Sequence, residues 1–480
     1  MEGLLSSSER KELQLFQLTI QSDDFVSINQ LKELLHSSIS NVWRIVNKLA
    51  ETYPNYVELI KHKQLGIKFV ELDPSQDTYL LIRSDYLKRN MNFILLDALF
   101  HEEFDSVQEF CETYYISVGA FYKKKKELDT MLEQNKLIID TKNFRIYSHN
   151  DLYVRDFFYY VYWETFKTVE WPFKLIDKPE LTSVLFTFLS NHTIELNTLE
   201  KEQVLYRFAI MFTRVRKRHF FNKSILNKLI PPELSAFLSK LNDWLMNYIP
   251  KEQIEDEVFY LSFLIISNYS SAYINLPISE HYLASYFGSI DSIEWQLTIN
   301  FFEQLRIFFP DQQLELENNV HELVHIMHIH VYSTFFDHSY IPSSIPHYLE
   351  EISSLSQDAA MKIIETIDLA KHPQNTNYLK YYYSLFIESY FTFKKVNIAL
   401  DMSSDRMSAN RIKNRLLTIF KDNISFVDHL DCDSESINLV ISDTSVYSTS
   451  KVFIIKHPYS EKSFKLLKDY IMEVFFKLNK

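Results

Sequence analysis

Glycine is scarce in this chain, with four in 480 residues, at Gly3, Gly66, Gly119 and Gly288. Neither a GxGxxG turn nor a GxxxxGK[ST] loop can be assembled from them, which excludes dinucleotide folds and P-loop nucleotide hydrolysis. Cysteine is scarcer still. Cys111 and Cys432 stand far apart and neither belongs to a CxxC pair, so no disulfide framework or thiolate zinc site is expected, and both read as small buried hydrophobes. Long apolar runs are missing as well. The stretch Val258 to Ile266 is broken by Ser262 and followed by Ser267 and Asn268, well short of the ~18–20 residues that a membrane span requires. The first ten residues carry Glu2, Glu9 and a serine run instead of a basic region leading into an apolar core, so no signal peptide is expected and the chain reads as cytoplasmic, without a membrane partner.

What is present is the composition of a folded protein of several domains: 46% hydrophobic, 24% charged, rich in Leu, Lys, Glu and Phe. Few glycines and prolines with many helix formers predict a mainly helical chain. The formal net charge of −13 argues against a protein coated in nucleic acid, because backbone binding depends on Lys and Arg displacing counterions. Its distribution matters more than its total. Residues 27–70 hold six basic side chains against three acidic ones, and residues 113–146 hold seven against four. Two basic islands therefore sit in an acidic chain.

Each island has the pattern of a winged helix-turn-helix. In the first, Ser27 caps a helix with Ile28, Leu31, Leu34 and Leu35 on one face, and His36-Ser37-Ser38 breaks it. A second helix follows with Ile39, Val42, Val46 and Leu49 at spacings of three and four. Ser40, Asn41, Arg44, Asn47 and Lys48 are left facing outward, a set suited to base edges and phosphates. Residues 57–60 and 66–70 then read as two strands joined through Lys61-His62-Lys63-Gln64, a wing that adds Lys61 and Lys63 to the DNA-contacting set. In the second island Ser106 caps a helix through Val107, Phe110, Cys111 and Tyr114, and Ser117 caps the next. There Val118, Phe121, Leu128 and Leu132 form the apolar stripe, with Ala120, Tyr122, Lys123, Lys124, Lys126 and Glu127 outside. Residues 137–140, a turn at 141–143 and residues 144–147 complete a second wing, carrying Lys142 and Arg145, and residues 91–100 supply the preceding helix.

On these residues, above all Ser106-Val-Gln-Glu-Phe-Cys, Phe121-Tyr-Lys-Lys-Lys-Lys-Glu-Leu and the hairpin from Lys136 to Ile146, the chain resembles the Mga/AtxA-type virulence regulators of Gram-positive bacteria. The resemblance implies two winged helix-turn-helix domains (1–72 and 73–150), two helical phosphotransferase-system regulatory (PRD-like) domains (151–283 and 284–393) and a C-terminal α/β domain similar to enzyme IIB (394–480). It implies a homodimer on double-stranded promoter DNA, tuned by phosphocarrier proteins of the sugar phosphotransferase system. Histidines of the helical domains would accept the phosphate, which makes His192, His219, His321, His325 and His372 the candidates. Leu205-Tyr-Arg-Phe-Ala-Ile-Met-Phe echoes His321-Glu-Leu-Val-His-Ile-Met-His, as if one helix occurred in both repeats. The first repeat departs from the family pattern, with Arg207-Phe208 where an Asp-His pair is usual. The C-terminal part alternates strands at 396–400, 424–427, 437–441 and 451–455 with helices at 409–420 and 460–478. The loop after its first strand, Asp401-Met-Ser-Ser-Asp-Arg, lacks the cysteine nucleophile of enzyme IIB, so protein association is expected there in place of phosphotransfer.

Two other readings share the residues. An RNA-binding antiterminator would keep the helical regulatory domains, but the N-terminal winged units argue for DNA. His321-Glu-Leu-Val-His325 fits HExxH, the zinc-binding turn of metalloproteases, with Glu350 or Glu351 as a conceivable third ligand. The helical repeat already accounts for that segment. No catalytic residue, metal or cofactor is expected.

Overall fold

A computed structural model describes residues 2–167, 169–191, 196–226, 229–268, 279–290, 292–310, 320–336, 352–367, 375–391, 394–402, 406–427, 437–444, 452–455 and 460–479. The chain is mainly helical and divides into two compact units, Met1–Leu264 and Ile265–Lys480. No helix among the described residues is long and apolar enough to cross a membrane.

The first unit opens with α1 (Ser7–Ile20), held at its start by a capping box between Ser6 and Glu9. Then come α2 (Ile28–Leu34), α3 (Ile39–Thr52) and an antiparallel hairpin of β1 (Val57–His62) and β2 (Gly66–Glu71). Gly66 has φ +111°, and a Cβ there would lie 2.1 Å from the carbonyl oxygen of Val26, so only glycine lets the wing strand pack on the segment leading into α2. Val26 and Ile67 exchange backbone hydrogen bonds of 2.8 and 3.0 Å across that contact. The second winged unit follows as α4 (Thr78–Arg89), α5 (Met91–His101), α6 (Val107–Thr113), α7 (Val118–Glu133) and the hairpin β3 (Ile138–Asp140) with β4 (Arg145–Tyr147).

From residue 151 the first unit continues in helices, α8 (Asp151–Phe166), α9 (Lys178–Asn191) and α10 (Thr198–Arg216), whose aromatic side chains build the core. Phe158 stacks on Phe100 at 4.1 Å, and Tyr162 donates a 2.7 Å hydrogen bond to Asp97, so α8 is fastened to α5. At the same junction lies a buried charge cluster. Arg155 bonds Asp151 at 2.6 Å and Glu257 at 2.5 and 2.8 Å, while Arg214 reaches Asp151 at 2.7 Å and the backbone carbonyl of Ile146 in β4 at 3.4 Å. Burial alone would raise the Asp151 carboxyl, but the Arg214 and Arg155 guanidinium groups hold it below the usual carboxylate range.

In the second unit, helices at Ile293–Phe308, Val320–Phe335, Ser354–Ile364 and Thr376–Tyr390 pack around buried Phe301, Phe302, Met327 and Tyr383. They are followed by a small parallel sheet in the order β6 (Ile424–Phe426), β5 (Val396–Asp401), β7 (Leu439–Ser442), β8 (Val452–Ile454). Helices at Arg406–Phe420 and Glu461–Leu478 accompany the sheet. The sheet's strands coincide closely with the four predicted ones, since period and burial are both local signals there.

Candidate nucleic-acid interface

The two winged units are built on one template. Ser106 stands 79 positions after Ser27, and Ser117 stands 79 after Ser38. All four serines cap, each accepting a hydrogen bond at 3.1–3.2 Å from the backbone N–H three residues on. At the same spacing His36 and Tyr115 both take left-handed backbone, with φ 44° and 53°, and so set the sharp turn between the two helices. Leu31 and Phe110, Val42 and Phe121, and Leu49 and Leu128 are buried counterparts. Local sequence therefore dictates the helix-turn-helix twice.

Within the first unit, Ser40, Arg44 and Asn47 are exposed on α3, and Arg44 donates to Asn41 Oδ1 at 2.9 and 3.1 Å, which pre-orients the guanidinium. Lys61 on the wing donates to Asn47 at 3.1 Å and lies 5.4 Å from the Trp43 ring, while Lys63 is exposed at the wing's tip. Lys48 is exposed but already paired: its Nζ is 2.6 Å from the buried Glu12, which also accepts from Tyr86. Two stripe positions differ from expectation. Leu34 and Ile39 are half exposed, and Ile45 fills the core instead.

In the second unit Tyr122, Lys123 and Lys126 are exposed, Ala120 is half-buried, and Lys142 is exposed at the wing turn. Lys124 is only 27% exposed at its side chain and pairs with Glu127 at 2.8 Å; Lys125 pairs with Asp129 at 2.7 Å. They occupy the registers of Ile45 and Val46, so part of the lysine run lies along the flank of the core. Arg145 pairs with Asp140 at 3.2 Å. Val118, read as core, is instead exposed at the start of α7.

Of the candidate phosphohistidines, His192 and His372 lie outside the described residues, as does the side chain of His321. His325 lies half-buried on the helix Val320–Phe335. His219 is placed most informatively: its Nε2 is 2.5 Å from Glu102 Oε1, across the junction between the α5–α6 turn and the end of α10. Burial raises the Glu102 carboxyl, yet the His219 hydrogen bond and charge, with Arg214 and Lys217, hold it below its ordinary range. Arg207 is buried 3.3 Å from Asp156 with its guanidinium 3.7 Å from the Tyr159 ring, so that position is structural. His330, which the sequence did not single out, is fully buried with Nδ1 2.7 Å from Thr298 and Nε2 2.6 Å from the Tyr383 hydroxyl. Among the described residues, Asp97, His101 and Glu103 bring ligand atoms within 4.8 Å of one another. There Tyr162 and Lys174 already answer the two carboxylates.

The decisive likeness falls on the second unit. A family described as the Mga helix-turn-helix domain matches residues 78–162, the span from α4 through most of α8. The chain is also 22% identical over 212 residues to the anthrax toxin expression trans-acting positive regulator of Bacillus anthracis, a match spanning 44% of this chain and 44% of that relative. Both likenesses are to Mga/AtxA-type transcriptional regulators, and each covers less than half of this chain. The HExxH reading finds no support there.

Proposed function

We propose that this chain is a DNA-binding transcriptional regulator that sets two winged helix-turn-helix units, residues 1–72 and 73–150, against double-stranded promoter DNA. The observation that carries the reading is the repetition: one serine-capped helix, left-handed turn, second helix and hairpin recur at a fixed spacing, each with basic side chains outward, and the second falls inside the Mga helix-turn-helix match. Helices of this kind place their N-terminal residues at base edges while flanking Lys and Arg take phosphates. The relative named as a trans-acting positive regulator is consistent with that role.

The finer assignments follow the family. Helical residues 151–283 and 284–393 act as PRD-like regulatory domains, and residues 394–480, with their small parallel sheet, act as an enzyme IIB-like association domain in the cytoplasm. The active species is a homodimer: two modestly basic islands per chain bind an anionic duplex weakly, and two chains double the phosphate contacts. Phosphocarrier proteins tune it through His219 or another of the candidate histidines. His219 is favoured by its contact with Glu102, since a phosphoryl group there would oppose a carboxylate and loosen the second winged unit from its support. Footprinting of the purified chain on genomic promoter fragments tests the reading, with Arg44→Ala and Lys123→Ala/Lys126→Ala compared with wild type. Protection that weakens in both variants is expected; footprints unchanged in both would overturn it.

A further inference from the structure

Charge alone does not account for the exposed side of α7. Tyr115 is 95% exposed at the turn, Val118 43% exposed at the first helical position and Tyr122 54% exposed one turn later. Lys126 continues the same line and Lys123 flanks it, both exposed. Single apolar residues on a surface are ordinary. Here the pair recurs in register: in α3 the first position is Ile39, 46% exposed, and one turn later comes Trp43, half-buried beneath Lys61. A branched aliphatic and an aromatic thus open both recognition helices on the side away from the core. Between them on α7 lies Gly119, exposed, where an added Cβ would meet nothing nearer than Ser117 Oγ at 4.0 Å. Packing within the chain does not require a glycine there; a surface approaching the helix closely would.

The occupant is indicated by charge. Lys123 and Lys126 flank the apolar line on α7 and Lys142 is exposed on the wing that follows it, in a chain whose net charge is −13, so the matching surface is a polyanion that also offers apolar groups. Duplex DNA has one such group in its major groove, the 5-methyl of thymine, which identifies T among the four bases. Resting on the DNA-binding reading above, we propose that Val118 and Tyr122 read thymine methyl groups in the major groove, and so select thymine-bearing sites within the footprint. Phosphate contacts by Lys123 and Lys126 position the helix; the apolar pair specifies.

The test compares one footprinted promoter duplex with the same duplex in which thymines are replaced by deoxyuridine, which removes only the methyls. Fluorescence anisotropy with the full chain should show affinity falling about fourfold for each recognised methyl removed. Val118→Ser, which removes both side-chain methyls, and Tyr122→Ala should each shrink the thymine-to-uracil ratio toward one. Lys123→Ala should weaken binding to both duplexes equally and keep the ratio. Equal wild-type affinity for the two duplexes, or an unaltered ratio in both Val118→Ser and Tyr122→Ala, overturns the proposal while leaving DNA binding intact. Failure to bind either duplex overturns the DNA-binding reading together with this one.

Discussion

Arg155 and Glu257, 102 residues apart in sequence, meet through two hydrogen bonds of 2.5 and 2.8 Å with neither side chain exposed to solvent. The Arg155 guanidinium also bonds Asp151 and the backbone carbonyl of His219, and Glu257 accepts from the backbone N–H of Phe221. Charges this buried persist only when each is answered. Glu257→Ala, which leaves Arg155 only the His219 carbonyl and the Asp151 carboxylate that it shares with Arg214, should cost on the order of 3–5 kcal/mol in urea unfolding. A loss below about 1 kcal/mol would mean that the pair is hydrated in solution.

DNA affinity should depend steeply on salt, and the lysines should divide by their partners. Lys123→Ala and Lys126→Ala should each lower the slope of log affinity against log salt by about 0.9, the change expected when one phosphate is no longer neutralised. Lys48→Ala should change the slope far less, because its Nζ already lies 2.6 Å from Glu12. Equal slopes for all three variants would contradict the placement of these side chains.

Gly66→Ala should dismantle the first wing. The φ of +111° and the 2.1 Å approach to the Val26 carbonyl leave no room for a methyl, and the strain should reach roughly 2–3 kcal/mol. Amide exchange in β1 and β2 is the measurement, with faster exchange expected there than in β3 and β4.

Stability of the second unit should fall with acid through His330. Thr298 donates to the Glu294 carbonyl, so His330 Nδ1 donates to Thr298 and its Nε2 accepts from Tyr383, an arrangement that holds the ring neutral. Burial pushes its pKa down from 6.5 to about 3. A depressed histidine binds its proton more readily when unfolded, so the penalty begins as pH drops through 6.5 and grows toward the folded value. At pH 5.5 it should be about 1.4 kcal/mol. Chemical denaturation at pH 7.5 and 5.5 should show a smaller difference for His330→Gln than for wild type; an identical difference would place the ring in contact with water.

His219→Asp should loosen the junction more than His219→Ala. Both lose the bond to Glu102, but only the aspartate sets a second negative charge against it. Limited proteolysis between α5 and α6 reads the outcome, and equal cleavage of the two variants would remove His219 as a charge-sensitive contact.

The sequence by itself determined whatever closes within a turn or two of chain. Ser27, Ser38, Ser106 and Ser117 announce their helices because a hydroxyl reaches the N–H three residues on. Leu31, Val42, Phe121 and Leu128 announce the buried faces through spacing alone, and the parallel strands near the C-terminus show themselves as short apolar runs. Tertiary structure decided which charged groups remain available. Lys48 is bound to Glu12 from another helix, Lys124 sits at the edge of the core, and Asp151, Arg155, Arg214 and Glu257 assemble from distant segments into one buried network. It also turned Val118 from an expected core residue into an exposed one. The reason is physical: caps and periodicity are set by backbone neighbours, whereas the partner of a long charged side chain is whatever the folded chain brings within about 3 Å, and no local pattern encodes that.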